Sequence, residues 1–158
     1  MSVFRPDHVF PDIFAVRPAW LAERGFRGLI VDLDNTIVPW RGEEPAPATI
    51  AWFAELHDAG IRVVLVSNAG GPRGERMGAI LGVPVVAPAK KPMSVGYRKA
   101  LALLEIPAAE VSALGDQIFT DVLGGNRAGV ATILVDPVTR REFFLTRLVR
   151  LFERRFRP

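Results

Sequence analysis

No cysteine occurs in the 158 residues, and that single absence removes disulfides, thiolate nucleophiles and zinc–cysteine sites together. Histidine is nearly as scarce: only His8 and His57 are present, so a histidine-rich metal centre is excluded as well. No apolar stretch approaches the ~20 residues that a membrane-spanning helix requires. The opening MSVFRPDHVFPDIF has no apolar core of about 7–15 residues behind a basic tip, the mark of a secretory signal. A cytoplasmic location is therefore the expectation. Lysine is rare too, with Lys90, Lys91 and Lys99 set against seventeen arginines. There is no internal repeat and no low-complexity segment.

What remains is an ordinary globular composition, long enough for one domain with a real core over residues 1–158 and too short for two. The net charge of +3 is unevenly spread. From Arg140 onward there are seven Arg and two Glu, a local +5, which leaves −2 for everything before it. A helical reading of about 140–157 puts Phe144, Leu148, Phe152 and Phe156 in one row and Arg147, Arg150, Arg154 and Arg157 on the other side. Such a basic amphipathic helix either packs on the domain or meets an anionic partner, a membrane inner face before nucleic acid.

Four short apolar runs without polar alternation, at 28–33, 61–66, 111–114 and 131–135, read as strands covered on both faces, with 83–86 as a weaker fifth. Between them Ala48–Ala59, Arg73–Leu81, Ser94–Leu104 and Phe119–Ala128 read as helices, and glycine follows three of the four. Strand and helix alternate, so the expected fold is α/β, a three-layer sandwich around a mainly parallel central sheet.

In such a sheet ligands bind beyond the carboxyl ends of the strands. The first strand ends in Asp32, Asp34, Asn35 and Thr36; the second in Ser67 and Asn68; the weak one leads to Lys90 and Lys91; the next to GDQIFTD, with Asp116 and Asp121. Carboxylates gathered at one sheet edge repel one another and lose hydration, so a positive partner is expected among them. Oxygen-only donors point to Mg²⁺, which prefers octahedral oxygen coordination and keeps sites open for a phosphate oxygen. A lysine supplies a further point charge for phosphate.

DLDNT, SN after an apolar strand, KP and GDQxxTD, in that order, resemble the four motifs of the haloacid dehalogenase (HAD) superfamily of phosphatases. PDIFAVRPAWLAERGFRGLIVDLDNTIVPW and VDPVTRREFFLTRLVR further resemble the bacterial YqeG family, itself similar to phosphatidylglycerophosphate phosphatases. The resemblance implies a Rossmann-like HAD fold and an Mg²⁺-dependent phosphomonoester hydrolase with a lipid phosphate as favoured substrate and a phosphoprotein or nucleotide as runner-up. It implies Asp32 as nucleophile, Asp34 as general acid and base, Ser67, Asn68 and Lys91 at the phosphate, and Asp32, Asp116 and the carbonyl of Asp34 at the metal. Asp121 is implied to support them from behind. A receiver-like phospho-switch uses similar residues, but there the phosphorylated Asp follows a later strand. Thirty-two residues separate Asp34 from Ser67 and twenty-two separate Asn68 from Lys91. Each interval is filled by one crossover, the first with a short flap at Pro39–Pro47 besides, so no cap domain is expected.

Overall fold

The computed structural model describes residues 2–139 and residue 154; the helix expected at about 140–157 lies outside them apart from that one position. Six strands form one sheet: β1 (His8–Phe10), β2 (Gly28–Asp32), β3 (Arg62–Val66), β4 (Val85–Val86), β5 (Val111–Gly115) and β6 (Ala131–Val135). Their order is β1-β6-β5-β2-β3-β4, and every adjacent pair is parallel. Five helices make the crossovers: α1 (Pro18–Glu23), α2 (Pro47–Asp58), α3 (Pro72–Leu81), α4 (Ser94–Leu104) and α5 (Leu123–Ala128).

The strands are apolar throughout because both faces are covered. Leu29, Val31, Val63 and Leu65 point into one core with Trp52, Phe53, Leu56 and Met77 from α2 and α3. Ile30, Val64 and Val66 point the other way, onto Tyr97, Ala100 and Leu104 of α4. Period-two alternation along each strand thus feeds two cores, one per face, each fully buried aliphatic side chain contributing roughly 1.5–3 kcal/mol. The three layers are those expected from the sequence.

Boundaries differ in small ways with clear causes. Helices α1, α2 and α3 each begin on a proline, Pro18, Pro47 and Pro72, because a fixed φ and a missing N–H suit the first helical position. The expected helix over Phe119–Ala128 is instead one wide turn, Ile118–Val122, running into the short α5. β4 shrinks to two residues. β1 and α1 carry no run long enough to be read from sequence: HVF pairs with β6, and beside it Asp7 accepts from the Thr132 N–H at 2.8 Å.

The order of strands places the site. From β2 the chain moves outward through β3 and β4, then returns across the sheet to β5 on the other side of β2. The crevice between the carboxyl ends of β2 and β5 is therefore the topological switch point, the position where open parallel sheets bind ligands. Among the described residues no extra domain is inserted over that edge, and no helix is long and apolar enough to cross a membrane.

Candidate active site

Asp32 is the last residue of β2 and Asp116 the first after β5, so the two flank the switch point. Asp121 joins them from the wide turn that follows, and the three buried carboxylates bring oxygen atoms within 4.8 Å of one another. Gly115 makes that approach possible: a Cβ there would run into the Asp121 side chain. The Gln117 N–H donates to Asp121 Oδ2 at 3.1 Å and fixes its carboxylate.

Lys91 reaches into the same pocket. Its Nζ donates to Asp32 Oδ1 and, at 2.7 Å, to Asp121 Oδ1. Thr36 closes the other side, donating to Asp32 Oδ2 at 2.7 Å with Asp116 Oδ1 3.3 Å away. Burial first, then the negative charge of Asp121, pushes the Asp32 carboxyl up to about 6 against the pull of Lys91. Lys91 is held well above its usual value: burial opposes its charge, but Asp121 and Asp32 outweigh that cost.

Asn68 does not point at this pocket with its amide. Its Oδ1 accepts from the Lys91 N–H at 2.7 Å and its Nδ2 donates to the Lys91 carbonyl at 3.0 Å, a two-point clasp that fixes the main chain carrying the lysine. Gly96 of α4 packs so close to the Ala89 carbonyl that a Cβ would not fit, which presses the same loop inward. Ser67, just past β3, is buried at the neighbouring strand end and accepts from the Ala69 N–H at 3.2 Å. Lys90, with φ 54°, belongs to a groove with Lys99, outside the acidic pocket.

Asp34 has different company from Asp32. Alternation along an extended chain would send both side chains the same way, but the strand ends at Asp32 and the chain turns, with Ile37 N–H donating to the Leu33 carbonyl at 3.2 Å. The Asp34 carboxylate pairs with Arg73 of α3 at 2.5 Å and accepts from the Arg41 N–H at 3.1 Å. Each acid of the pair has its own side-chain cation, Lys91 for Asp32 and Arg73 for Asp34, beside the divalent metal expected from the sequence. Arg73 and Thr36 had no assigned role in the sequence reading. Thr36 could have been found from its place four residues after Asp32; Arg73, one of seventeen arginines, carried no signal.

The donor set suits a hard divalent cation. Asp32, Asp116 and Asp121 offer only oxygen, all buried, at mutual distances a single ion spans. Lys91 brings one positive charge to three carboxylates. Both oxygens of Asp32 accept hydrogen bonds, from Lys91 and Thr36, and so do both of Asp121, from Lys91 and Gln117, so the hydrogen bonds do not rank these two as ligands.

Comparison with known proteins agrees with this geometry. The HAD-hydrolase-like family model matches residues 88–142. The probable phosphatase YqeG of Bacillus subtilis is 42% identical over 152 residues, 96% of this chain and 88% of that one. A chloroplastic phosphatidylglycerophosphate phosphatase 1 of Chlamydomonas reinhardtii is 35% identical over 147 residues, 87% of this chain but 55% of its own length. Among solved structures, the cobalt-bound deoxy-D-mannose-octulosonate 8-phosphate phosphatase of Haemophilus influenzae superposes with a TM-score of 0.57 at 18% identity, over 71% of this chain and 69% of that one. The chain belongs to the YqeG family of HAD-type phosphatases.

Proposed function

We propose that the protein is an Mg²⁺-dependent phosphomonoesterase working through an aspartyl phosphate on Asp32, with a phosphatidylglycerophosphate-like lipid as substrate. The observation that carries the reading is the buried trio of Asp32, Asp116 and Asp121 with Lys91 reaching into it. An Asp32 oxygen attacks phosphorus while the bond to the leaving oxygen breaks, and Asp34 gives that oxygen a proton. Water then attacks the phosphorus, Asp34 takes its proton back, the bond to Asp32 breaks and inorganic phosphate leaves. Lys91 and Ser67 offset charge on the phosphoryl oxygens, and Asn68 keeps Lys91 in place. Asp32, Asp116 and the Asp34 carbonyl would hold Mg²⁺, which when bound supplies Lewis-acid stabilisation of the phosphoryl charge.

Two features support a lipid. A relative that covers most of this chain is a phosphatidylglycerophosphate phosphatase. No inserted domain lies over the described sheet edge, so a bulky substrate held at a surface can reach the pocket and its own mass excludes water. The basic residues from Arg140 onward would then favour an anionic membrane from the cytoplasmic side. Phosphate release from phosphatidylglycerophosphate in anionic vesicles, from a phosphopeptide, from a nucleotide and from an aryl phosphate, each with and without Mg²⁺, tests the proposal. Faster turnover of the lipid is expected. Preference for a soluble phosphate ester would overturn the substrate, and activity indifferent to Mg²⁺ would overturn the cofactor.

A further inference from the structure

Arg73 is the second residue of α3, and its guanidinium makes three contacts at once. Nη2 donates to Asp34 Oδ1 at 2.5 Å, Nη1 lies 3.3 Å from Oδ2, and Nε donates to the Gly42 carbonyl of the flap at 2.9 Å. The Arg41 N–H adds a second bond to Oδ1 at 3.1 Å. Oδ1 is therefore held by two good hydrogen bonds, whereas Oδ2 has one long contact among the described residues. A carboxylate oxygen that must give and take a proton works best when little competes for it and its partner oxygen is fixed.

The helix that carries Arg73 is closely packed. Gly78 brings α3 against Val85 and the Val83 carbonyl so closely that a Cβ would not fit. One turn after Arg73, Arg76 pairs with Glu43 at 2.5 Å, a second tie between α3 and the flap. A planar guanidinium can meet a carboxylate and a carbonyl together; the single ammonium of lysine cannot span the same fork.

We propose that Arg73 is a positioning residue for proton transfer: it anchors Asp34 through Oδ1, leaves Oδ2 for the leaving group, and sets the flap through Gly42 on the same side chain. The proposal rests on the reading of Asp34 as proton donor. Its chemical consequence is selective, because proton delivery matters most when the departing oxygen is strongly basic.

The test measures Arg73→Gln, Arg73→Lys, Asp34→Asn and the Arg73→Gln/Asp34→Asn double variant with Mg²⁺. Substrates are aryl phosphates of rising leaving-group basicity and one alkyl phosphate. Arg73→Gln should lose about tenfold or more on the alkyl phosphate and little on the best aryl leaving group, with Arg73→Lys between it and the native chain. In the Asp34→Asn background the Arg73 change should add almost nothing, since the acid it serves is gone. Trypsin should cut after Arg41 faster in Arg73→Gln, because the Gly42 carbonyl is released. Equal losses across the substrates, a full additional loss in the double variant, or unchanged cleavage after Arg41 would each overturn the proposal. Should Arg73→Gln not fold, the slope of Arg73→Lys decides in the same way. A native protein without phosphomonoesterase activity defeats the enzymatic reading and this one with it; an active protein with a flat Arg73 series defeats this one alone.

Discussion

Asp32 and Asp34 stand two residues apart and are neutralised by opposite means. Asp32 meets Lys91 in a closed pocket, with side-chain exposures of 8% and 4%. Asp34 meets Arg73 at the rim, with exposures of 13% and 17%, beside a flap that carries the exposed Trp40. In the first place a compact ammonium lies among carboxylates that burial has deprived of water, and the charge balance there is costly to disturb. In the second a planar fork ties a loop to a helix, and solvent still screens the pair. Under the proposed function the contrast separates two tasks: the inner pair would set the charge around phosphorus, and the outer pair the position of a proton donor.

The comparison breaks most completely at its inner member. Asp32→Asn keeps the size but removes the attacking oxygen's charge, so hydrolysis of an aryl phosphate should fall by on the order of 10³-fold or more, measured on rigorously purified protein. Lys91→Ala comes next, with an expected rate loss on the order of 10²–10³-fold. Lys90→Ala, outside the pocket, should stay close to the native rate. The reverse ranking of the two lysines would mean that the wrong neighbour has been placed at the phosphate.

Removing a candidate metal ligand sharpens the inner site without emptying it. Asp116→Asn should raise the Mg²⁺ concentration for half-maximal activity by at least ~10-fold, while Glu43→Gln on the flap leaves it unchanged. Packing provides a smaller effect. Gly115→Ala pushes a methyl group into Asp121 and should cost about 1–3 kcal/mol in denaturant titration; an unchanged midpoint would show that Asp121 has room to move.

The smallest effect lies far from both acids. His8 sits edge-on to Trp20 with ring centroids 4.9 Å apart, and burial first, then the charge of Arg24, lowers its pKa below the ordinary 6.5. The unfolded chain therefore binds this proton more readily than the folded one. Its contribution is present above about pH 6.5 and is lost as the pH falls below that value. Melting temperatures at pH 7.5 and pH 5 should differ slightly less in His8→Phe than in the native chain. Partial exposure keeps the difference small, and an identical pH dependence in the variant would assign it to other groups.

The amino-acid sequence determined the layers and most of the site. Runs such as LIV at 29–31, alternating with helical stretches, fit strands buried on both faces, and polar residues following them gather at one edge once the sheet is parallel. Asp32, Ser67, Lys91, Asp116 and Asp121 were legible as candidates because each sits after an apolar run or within a motif that follows one, while the choice of Lys91 over Lys90 came from the resemblance to the HAD motifs. Tertiary structure alone decided the partners. Nothing in the local sequence of Asn68 says that its amide clasps the Lys91 main chain, since the two meet only because β3 and the loop after β4 lie side by side. Arg73 is thirty-nine positions from Asp34, and its neighbours Pro72 and Gly74, in the first turn of α3, carry no sign of that partner. Its pairing depends on where α3 begins, how closely Gly78 lets that helix approach β4, and how the chain turns after Asp32. Burial follows from period and composition, which are local; a hydrogen bond to a distant side chain needs two backbones fixed to within about half an ångström, which only the packed fold supplies.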